Sequence, residues 1–459
     1  MRRLGLEAPR GFVLGHRWGR YLIHAGEAHA LLIGPTRSWK GRAHLIPSLL
    51  IHQPGEPDLP SVIVTDPKQG ENYAVTQAWR EQFSRVLAFA PMAHRSEVWH
   101  WARCNMLDTV RLGTPKEFGD ADTIAQSLVA PAKMERENST SLHFRELAAL
   151  FLTTVILHVL YAWTRKSLAG CWEFMTRHGD VGAILRLIRN TKHHSAGVHQ
   201  AIAQMSQAMA NITGDRELSS IWSTAIRPLI LYNDPMVAAA TDTSDFDFDD
   251  FQYGPEPISL YLIAPSPRSL VRLHPLFRVI LDIGMTRMTD HPVRSAHRRV
   301  DVIADELPAY GYVRAIDQGI SDMAGYDMRA FLVAQDLDQL WETYGERTPI
   351  WGNCSVKLFH APANDLTAKR ISEHFLGEQT VENPVAQQSP VIGHRRSVSL
   401  QHTGRRLLTT DELMGLNPRQ LMIWYQNFQG EDRTYPILAY KPDYRTDPAF
   451  AGRWAEVTP

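Results

Sequence analysis

Cysteine is almost absent from this chain: Cys104, Cys171 and Cys354 are scattered over 459 residues. An odd, widely spaced set argues against a disulfide framework or a clustered zinc site, and for a reducing compartment. Charge of one sign is equally scarce. The 48 Lys and Arg are balanced by 49 Asp and Glu, for a net charge of -1, so no global field announces a polyanionic partner. Residues 1–26 contain no apolar core of secretory type. A single run, Leu147 to Trp163, nears membrane hydrophobicity. It is short for a span, contains His158 and is bracketed by Arg145, Glu146, Arg165 and Lys166, so a buried helix is expected. No internal repeat is present. With 44% hydrophobic and 21% charged residues, what remains is an ordinary folded chain of about two to four domains.

Periodicity divides the chain in three. Residues 30–130 alternate apolar strand-like runs with helical stretches: Ala30 to Ile33, Ser61 to Asp66 and Arg85 to Pro91 read as strands. From about Ala132 to Ala238 helical patterns dominate, over Phe144 to Thr164, Val181 to Arg189 and Gly197 to Ile212. Strand patterns then return at Pro257 to Ala264, Arg299 to Asp305, Arg329 to Ala334 and Val356 to His360. Helices are expected over Leu276 to Thr289, after Pro275, and over Tyr312 to Met323. The predicted fold is α/β with a mostly parallel central sheet, its two parts at 1–131 and 239–459, interrupted by an all-α insertion at 132–238. The acidic run Asp242 to Asp250 is expected to be a solvated connector, and residues 378–405 an exposed loop.

One segment carries specific chemistry. After the strand Ala30 to Ile33 comes Gly34-Pro35-Thr36-Arg37-Ser38-Trp39-Lys40-Gly41, followed by a predicted helix to Leu50. The spacing is that of GxxxxGK, in which backbone N–H groups and a helix N-terminus cradle phosphate and the lysine neutralises it. Trp39 stands where the loop calls for glycine, placing a Cβ and an indole beside the phosphate seat. Taken alone, the segment also fits an ordinary strand–turn–helix. A second signal, Val302-Ile-Ala-Asp305-Glu306, sets two acids at a strand tip. In P-loop ATPases the first orders magnesium and the second polarises the attacking water; two solvated acids at a strand end would look the same. Gln335, closing the strand that starts at Arg329, suits a γ-phosphate sensor. Arg329 and Arg347 are candidate arginine fingers. The basic clusters Arg294 to Arg299 and His394 to Arg396 could touch DNA, and are equally read as solvated surface.

Together the strings GPTRSWKG (34–41), VTDPKQGEN (64–72), NMLD (105–108), SDFDFDD (244–250), DELPAYG (305–311), QDLDQLWETYG (335–345) and RRLLTTDELMGL (405–416) resemble the TraG/TraD-type coupling proteins of type IV secretion and conjugation. The resemblance runs from about Gly11 to Phe450. It implies a RecA-like P-loop motor domain with an inserted all-α substrate-reading domain, and ATP and Mg²⁺ as cofactors. It also implies assembly as a hexameric ring at the cytoplasmic face of the bacterial inner membrane. The implied partners are relaxase-bound single-stranded DNA or secreted proteins and the components of the secretion channel. Lys40, Asp305, Glu306 and Gln335 would be the catalytic set, with Arg329 a candidate finger beside Arg347, Asp305 as the magnesium ligand and the loop 34–41 with Asp66 around the nucleotide. Lys68, Glu71 and Asn72 would line the nucleotide or interface region.

Three departures from the family pattern stand out. Trp39 replaces the loop glycine, Gln69 separates Lys68 from Gly70, and the membrane helices expected before the motor domain are missing, which suggests a truncated, soluble or partner-anchored form. Gly41 also lacks the hydroxyl that many P-loops place on magnesium. The expected function is therefore a coupling ATPase. A receptor or assembly platform without turnover is the alternative that Trp39 raises, and a DNA translocase outside secretion is a third.

Overall fold

The structure is a computed structural model and describes residues 4–456, except 97, 134–138, 196, 198, 212–213, 388–396 and 428–432. The chain opens with a hairpin, β1 (Phe12–Arg17) and β2 (Arg20–His24), turned by Trp18 and Gly19, both at positive φ. The next strands are β3 (Ala30–Ile33), β4 (Ser61–Asp66), β5 (Arg85–Phe89), β6 (Ile258–Ile263), β7 (Val300–Ala304), β8 (Met328–Ala334) and β9 (Val356–Phe359). A ribbon, β10 (Glu378–Gln387) with β11 (Ser397–Arg406), precedes β12 (Gln420–Asn427) and β13 (Arg433–Tyr440). Eleven strands form one sheet in the order β2-β1-β13-β12-β9-β3-β8-β7-β4-β6-β5. From β9 to β5 the neighbours are parallel; from β9 back to β2 they are antiparallel.

The parallel strands are buried along their length, except for Arg85 at the start of the edge strand β5, as a sheet covered on both faces requires. Their side chains alternate between two cores. Leu31, Ile33, Val302 and Leu332 join one, while Ala30, Leu32, Val64 and Val333 join the other. The second face is closed partly by α1 (Ile46–Leu50) and α2 (Glu71–Arg80), through Leu49 and Tyr73. Among the described residues, the named elements between β5 and β6 are helical: α3 (Glu117–Val129), α4 (Ser139–Ala162), α5 (Leu168–His178), α6 (Val181–Asn190), α7 (Gln200–Ala210), α8 (Asp215–Ile226), α9 (Pro235–Thr241) and α10 (Asp250–Tyr253), with short 3₁₀ turns. The apolar run Leu147–Trp163 falls mainly in α4. This helix is long and apolar enough to cross a membrane, but 67% of its most apolar window is buried against its neighbours, as a core helix would be. The architecture is a RecA-like α/β domain with a helical domain.

Four expectations need correction. Helix α11 (Pro267–Thr289) begins well before Pro275, because Ser266 caps it by accepting the Ser269 N–H at 3.1 Å and Pro267 fits its first position. The helix tolerates Pro275 in its interior. The second helix, α12 (Arg314–Gly319), is shorter than the predicted Tyr312 to Met323. The segment 378–405 is largely the β10–β11 ribbon, not a loop; His394 to Arg396 lie outside the described residues. Finally, the acidic run is pinned rather than solvated. Asp242 binds Arg165, Asp245 binds Arg103 and Asp249 binds Arg287, while Phe246 and Phe248 enter the core.

Candidate functional site at the strand ends

Sheet order determines what meets at the site. β3, β8, β7 and β4 are successive parallel neighbours, so their C-terminal ends share one edge, where open α/β sheets bind ligands. Those ends carry the 34–40 loop, Gln335, Asp305–Glu306 and Asp66.

The loop leaves β3 at Gly34, whose N–H donates to Ala334 O at 3.1 Å. A Cβ there would meet the His360 side chain and Ser38 Oγ at 3.0 Å, so any larger residue would have to push those side chains back by a few tenths of an ångström. Arg37 and Trp39 have φ of 62° and 72°, left-handed values that explain the preference for glycine at position 39. Lys40 is 6% exposed, and its ammonium donates to Gly34 O at 2.7 Å and Pro35 O at 3.0 Å. Burial, then the charge of Lys68, lowers its pKa, against the pull of Asp305, Glu306 and Asp336. A wide π-type turn, Gly41–Leu45, leads into α1.

Behind the loop runs a chain of neutral hydrogen bonds. His44 Nδ1 lies 3.1 Å from Val13 O, which can only accept, so that nitrogen carries the proton. Burial holds both His44 and His360 far below the usual histidine range, hence neutral. His360 Nε2 therefore donates to His44 Nε2 at 2.9 Å, and His360 Nδ1 accepts from Ser38 Oγ at 3.0 Å. From the end of β13, the buried Lys441 donates to Ser38 O at 3.2 Å; burial and then Lys40 pull its pKa to about 8.

Facing the loop, Asp305 is 1% exposed. Its Oδ2 accepts from Lys68 Nζ at 3.0 Å, and its Oδ1 has no partner. Glu306, at φ 60°, accepts from the Gln335 amide, and Gln335 Oε1 accepts from Thr36 Oγ1 at 3.0 Å. One amide thus ties the loop to the acid at the end of β7. No group of three or more acids, histidines or cysteines that could hold a metal forms among the described residues, so the single unpartnered Asp305 oxygen fits Mg²⁺ only in the form held by one carboxylate together with substrate phosphates.

Asp66, expected beside the nucleotide, is instead fully buried. Its Oδ2 accepts from Tyr73 N at 2.9 Å, its Oδ1 is unpartnered, and burial, reinforced by Asp305, raises its pKa to about 7. It shapes the turn into α2. Gln69 and Gly70, at φ 59° and 80°, form that turn, while Lys68 and Glu71 stay exposed and Asn72 is buried.

The arginine-finger expectation for Arg329 is corrected. Arg329 lies near the start of β8, at the other end of the strand from Gln335, and is 2% exposed. Its Nη2 pairs with Asp301 at 2.7 Å, its Nη1 donates to His24 O and Gly26 O, and its guanidinium stacks on Phe12 at 3.8 Å. Arg347 is exposed. His44, His360, Lys441, Arg42 and Asp443 were not singled out in the sequence. They lie outside any motif, and only folding brings residues 360 and 441 to the loop.

Known proteins resemble this chain along its length. The family model described as "Type IV secretory system Conjugative DNA transfer" matches residues 6–457. The conjugal transfer protein TraG of Escherichia coli is 31% identical, over 96% of this chain and 70% of that protein. VirD4 of Rhizobium rhizogenes is 24% identical, over 90% and 59% respectively. In fold, the chain is similar to the plasmid coupling protein TrwB. The TrwB complex with the GTP analogue GDPNP has a TM-score of 0.69 at 14% identity, covering 98% of this chain and 94% of that one. The complex with ADP and Mg²⁺ gives 0.67 at 15%, with the same coverage.

Proposed function

The chain belongs to the type IV secretory system conjugative DNA-transfer family, and from that premise we propose that it is the ATP-hydrolysing motor of a coupling protein. One observation carries the proposal: Lys40, Asp305, Glu306 and Gln335, far apart in sequence, converge at the ends of β3, β7 and β8. The similar protein TrwB forms a complex with ADP and Mg²⁺, which supports a nucleotide as the ligand of this chain.

In this reading the loop N–H groups and Lys40 hold the nucleotide phosphates. Releasing Lys40 from Gly34 O and Pro35 O is the exchange that binding demands. Asp305 would hold Mg²⁺ through its unpartnered oxygen; the ion supplies charge neutralisation at the phosphates. Glu306, kept in place by Gln335, orients the attacking water, and Thr36 ties Gln335 to the loop so that the parts move together. Arg347, exposed on the loop after α13 (Leu337–Tyr344), is the remaining candidate to act on a neighbouring subunit's nucleotide. The proposed assembly is a hexameric ring at the inner face of the inner membrane. It would take relaxase-bound single-stranded DNA or proteins to the secretion channel, with a separate protein as a further candidate anchor.

Trp39 favours a second reading, a platform without turnover, because its φ of 72° sets an aromatic residue where glycine serves best. Mg²⁺-ATP binding and turnover, with and without single-stranded DNA, distinguish the two when measured beside Lys40→Ala and Trp39→Gly. Turnover by the native chain, lost in Lys40→Ala, supports the motor. Turnover in Trp39→Gly alone supports the platform. Absence of nucleotide binding in both the native chain and Trp39→Gly would sink both readings of the site.

A further inference from the structure

We propose that the segment after β13, through Lys441 and Asp443, is a positioning strap for the nucleotide loop that does the work of the missing glycine. Left-handed backbone costs a non-glycine residue about 1–2 kcal/mol, so something must hold Trp39 at φ 72°. Beside the Ala43 N–H that donates to Trp39 O at 2.8 Å, two side-chain contacts do so, one on each side of the residue. On the side-chain side, the Arg42 guanidinium lies 4.6 Å from the centre of the Trp39 ring. Arg42 is itself fixed by Asp443, with Nε and Nη2 on the two carboxylate oxygens, a fork that leaves the guanidinium little freedom. Asp443 Oδ1 also accepts from Arg445 N at 3.2 Å, which fixes the acid in turn.

On the backbone side, Lys441 Nζ donates to Ser38 O at 3.2 Å. The peptide joining Ser38 to Trp39 is planar and trans, so its C=O and N–H point in opposite directions. Holding the carbonyl towards Lys441 therefore turns the Trp39 N–H to the opposite side. The indole is thus docked on a residue one turn ahead, and the peptide before it is clamped by a residue 403 positions away. A glycine at 39 would need neither contact. The strap's bearing on nucleotide rests on the proposed function, but its effect on the loop does not.

The test is a double-mutant cycle on the full chain without nucleotide, with amide hydrogen exchange of the 34–43 segment as the readout. Asp443→Asn keeps the shape of the side chain but removes the charged fork. We expect it to speed exchange about 10-fold in the native background and less than about 2-fold in Trp39→Gly, a ratio of about 5 or more that corresponds to about 1 kcal/mol or more of coupling. Lys441→Met should speed exchange in the native background as well. Equal acceleration by Asp443→Asn in both backgrounds, or none in either, overturns the strap. A matched thermal midpoint for Asp443→Asn and native chain excludes general unfolding as the cause; if the midpoint falls, Arg42→Lys, which keeps the charge and loses the fork, gives the same cycle. Nucleotide affinity of the four proteins is then read separately. Coupling in exchange without binding in any of them would leave the strap standing and remove the motor.

Discussion

Replacing Asp66 by Asn should stabilise the protein by an amount that grows as pH rises from about 4 and levels off above about 7. The carboxyl is fully buried at the end of β4. It has one hydrogen bond, from Tyr73 N, one bare oxygen, and the negative charge of Asp305 nearby. Burial, the larger cause, and Asp305 raise its pKa from 3.8 to about 7. Between those values the folded chain keeps a proton that the unfolded chain has released. Stability must therefore fall as pH rises through the window, and level off above pH 7. At about 1.4 kcal/mol per pH unit the full loss is about 4 kcal/mol, of which about 3 kcal/mol falls between pH 5 and pH 8. Asn keeps the carbonyl that accepts from Tyr73 N and cannot ionise, so Asp66→Asn escapes this loss while all other titrations stay common to both proteins. Urea unfolding of the pair at pH 5, 6, 7 and 8 measures the difference directly. The gap in favour of Asn should widen by about 3 kcal/mol across the series. A gap that is constant with pH, or a variant less stable at pH 8, refutes the reasoning.

Arg329→Ala should destabilise the fold by about 3–5 kcal/mol, because it strands Asp301 in the interior. Arg347→Ala should shift stability by less than about 0.5 kcal/mol, and urea midpoints separate the two. Lys68→Met leaves the Asp305 carboxylate without its cation. Its thermal midpoint should fall and be restored by millimolar Mg²⁺ more than that of the native chain; an equal response to Mg²⁺ would exclude Asp305 as the ion's ligand. Gln335→Ala breaks the tie from Thr36 to Glu306. In steady-state assays it should cut turnover about 10-fold or more while nucleotide affinity stays within about 3-fold.

The parallel half of the fold was legible because burial on both faces writes each strand as a continuous apolar run. Ser61 to Asp66 and Ala30 to Ile33 match β4 and β3 end to end. The antiparallel half was not. β1 and β2 are short and polar at the turn, where Trp18 and Gly19 supply two positive φ angles that only Gly19 signals in the sequence. Pro275 misled because a proline normally marks a helix start; here Ser266 and Pro267 had already provided a stronger one. The acidic run misled because its charges dominate composition, yet its phenylalanines decide where it packs.

The site was legible to the extent that it is local. Loop, acids and amide each follow a strand, and strand ends can be located from hydrophobic runs. What sequence spacing could not reveal is how the loop tolerates its substitution, since the answer comes from residues 360 and 441–443. Four of the nine described non-glycine residues at positive φ lie at this edge, while Trp18, Asp58, His100, Arg294 and Asp327 lie elsewhere. Arg37, Trp39, Gln69 and Glu306, all non-glycine at positive φ, stand just beyond β3, β4 and β7. Each such residue costs energy that packing must offset, and such strain gathers where geometry serves a ligand rather than the fold. A loop drifting from use would shed that strain through any change that relaxes it. Here Arg42 and Asp443 hold the indole, Lys441 holds the peptide before it, and Gln335 holds Glu306. Retained strain with dedicated restraint on each side argues for an edge still shaped to bind, and places Trp39 within that shape as a supported residue.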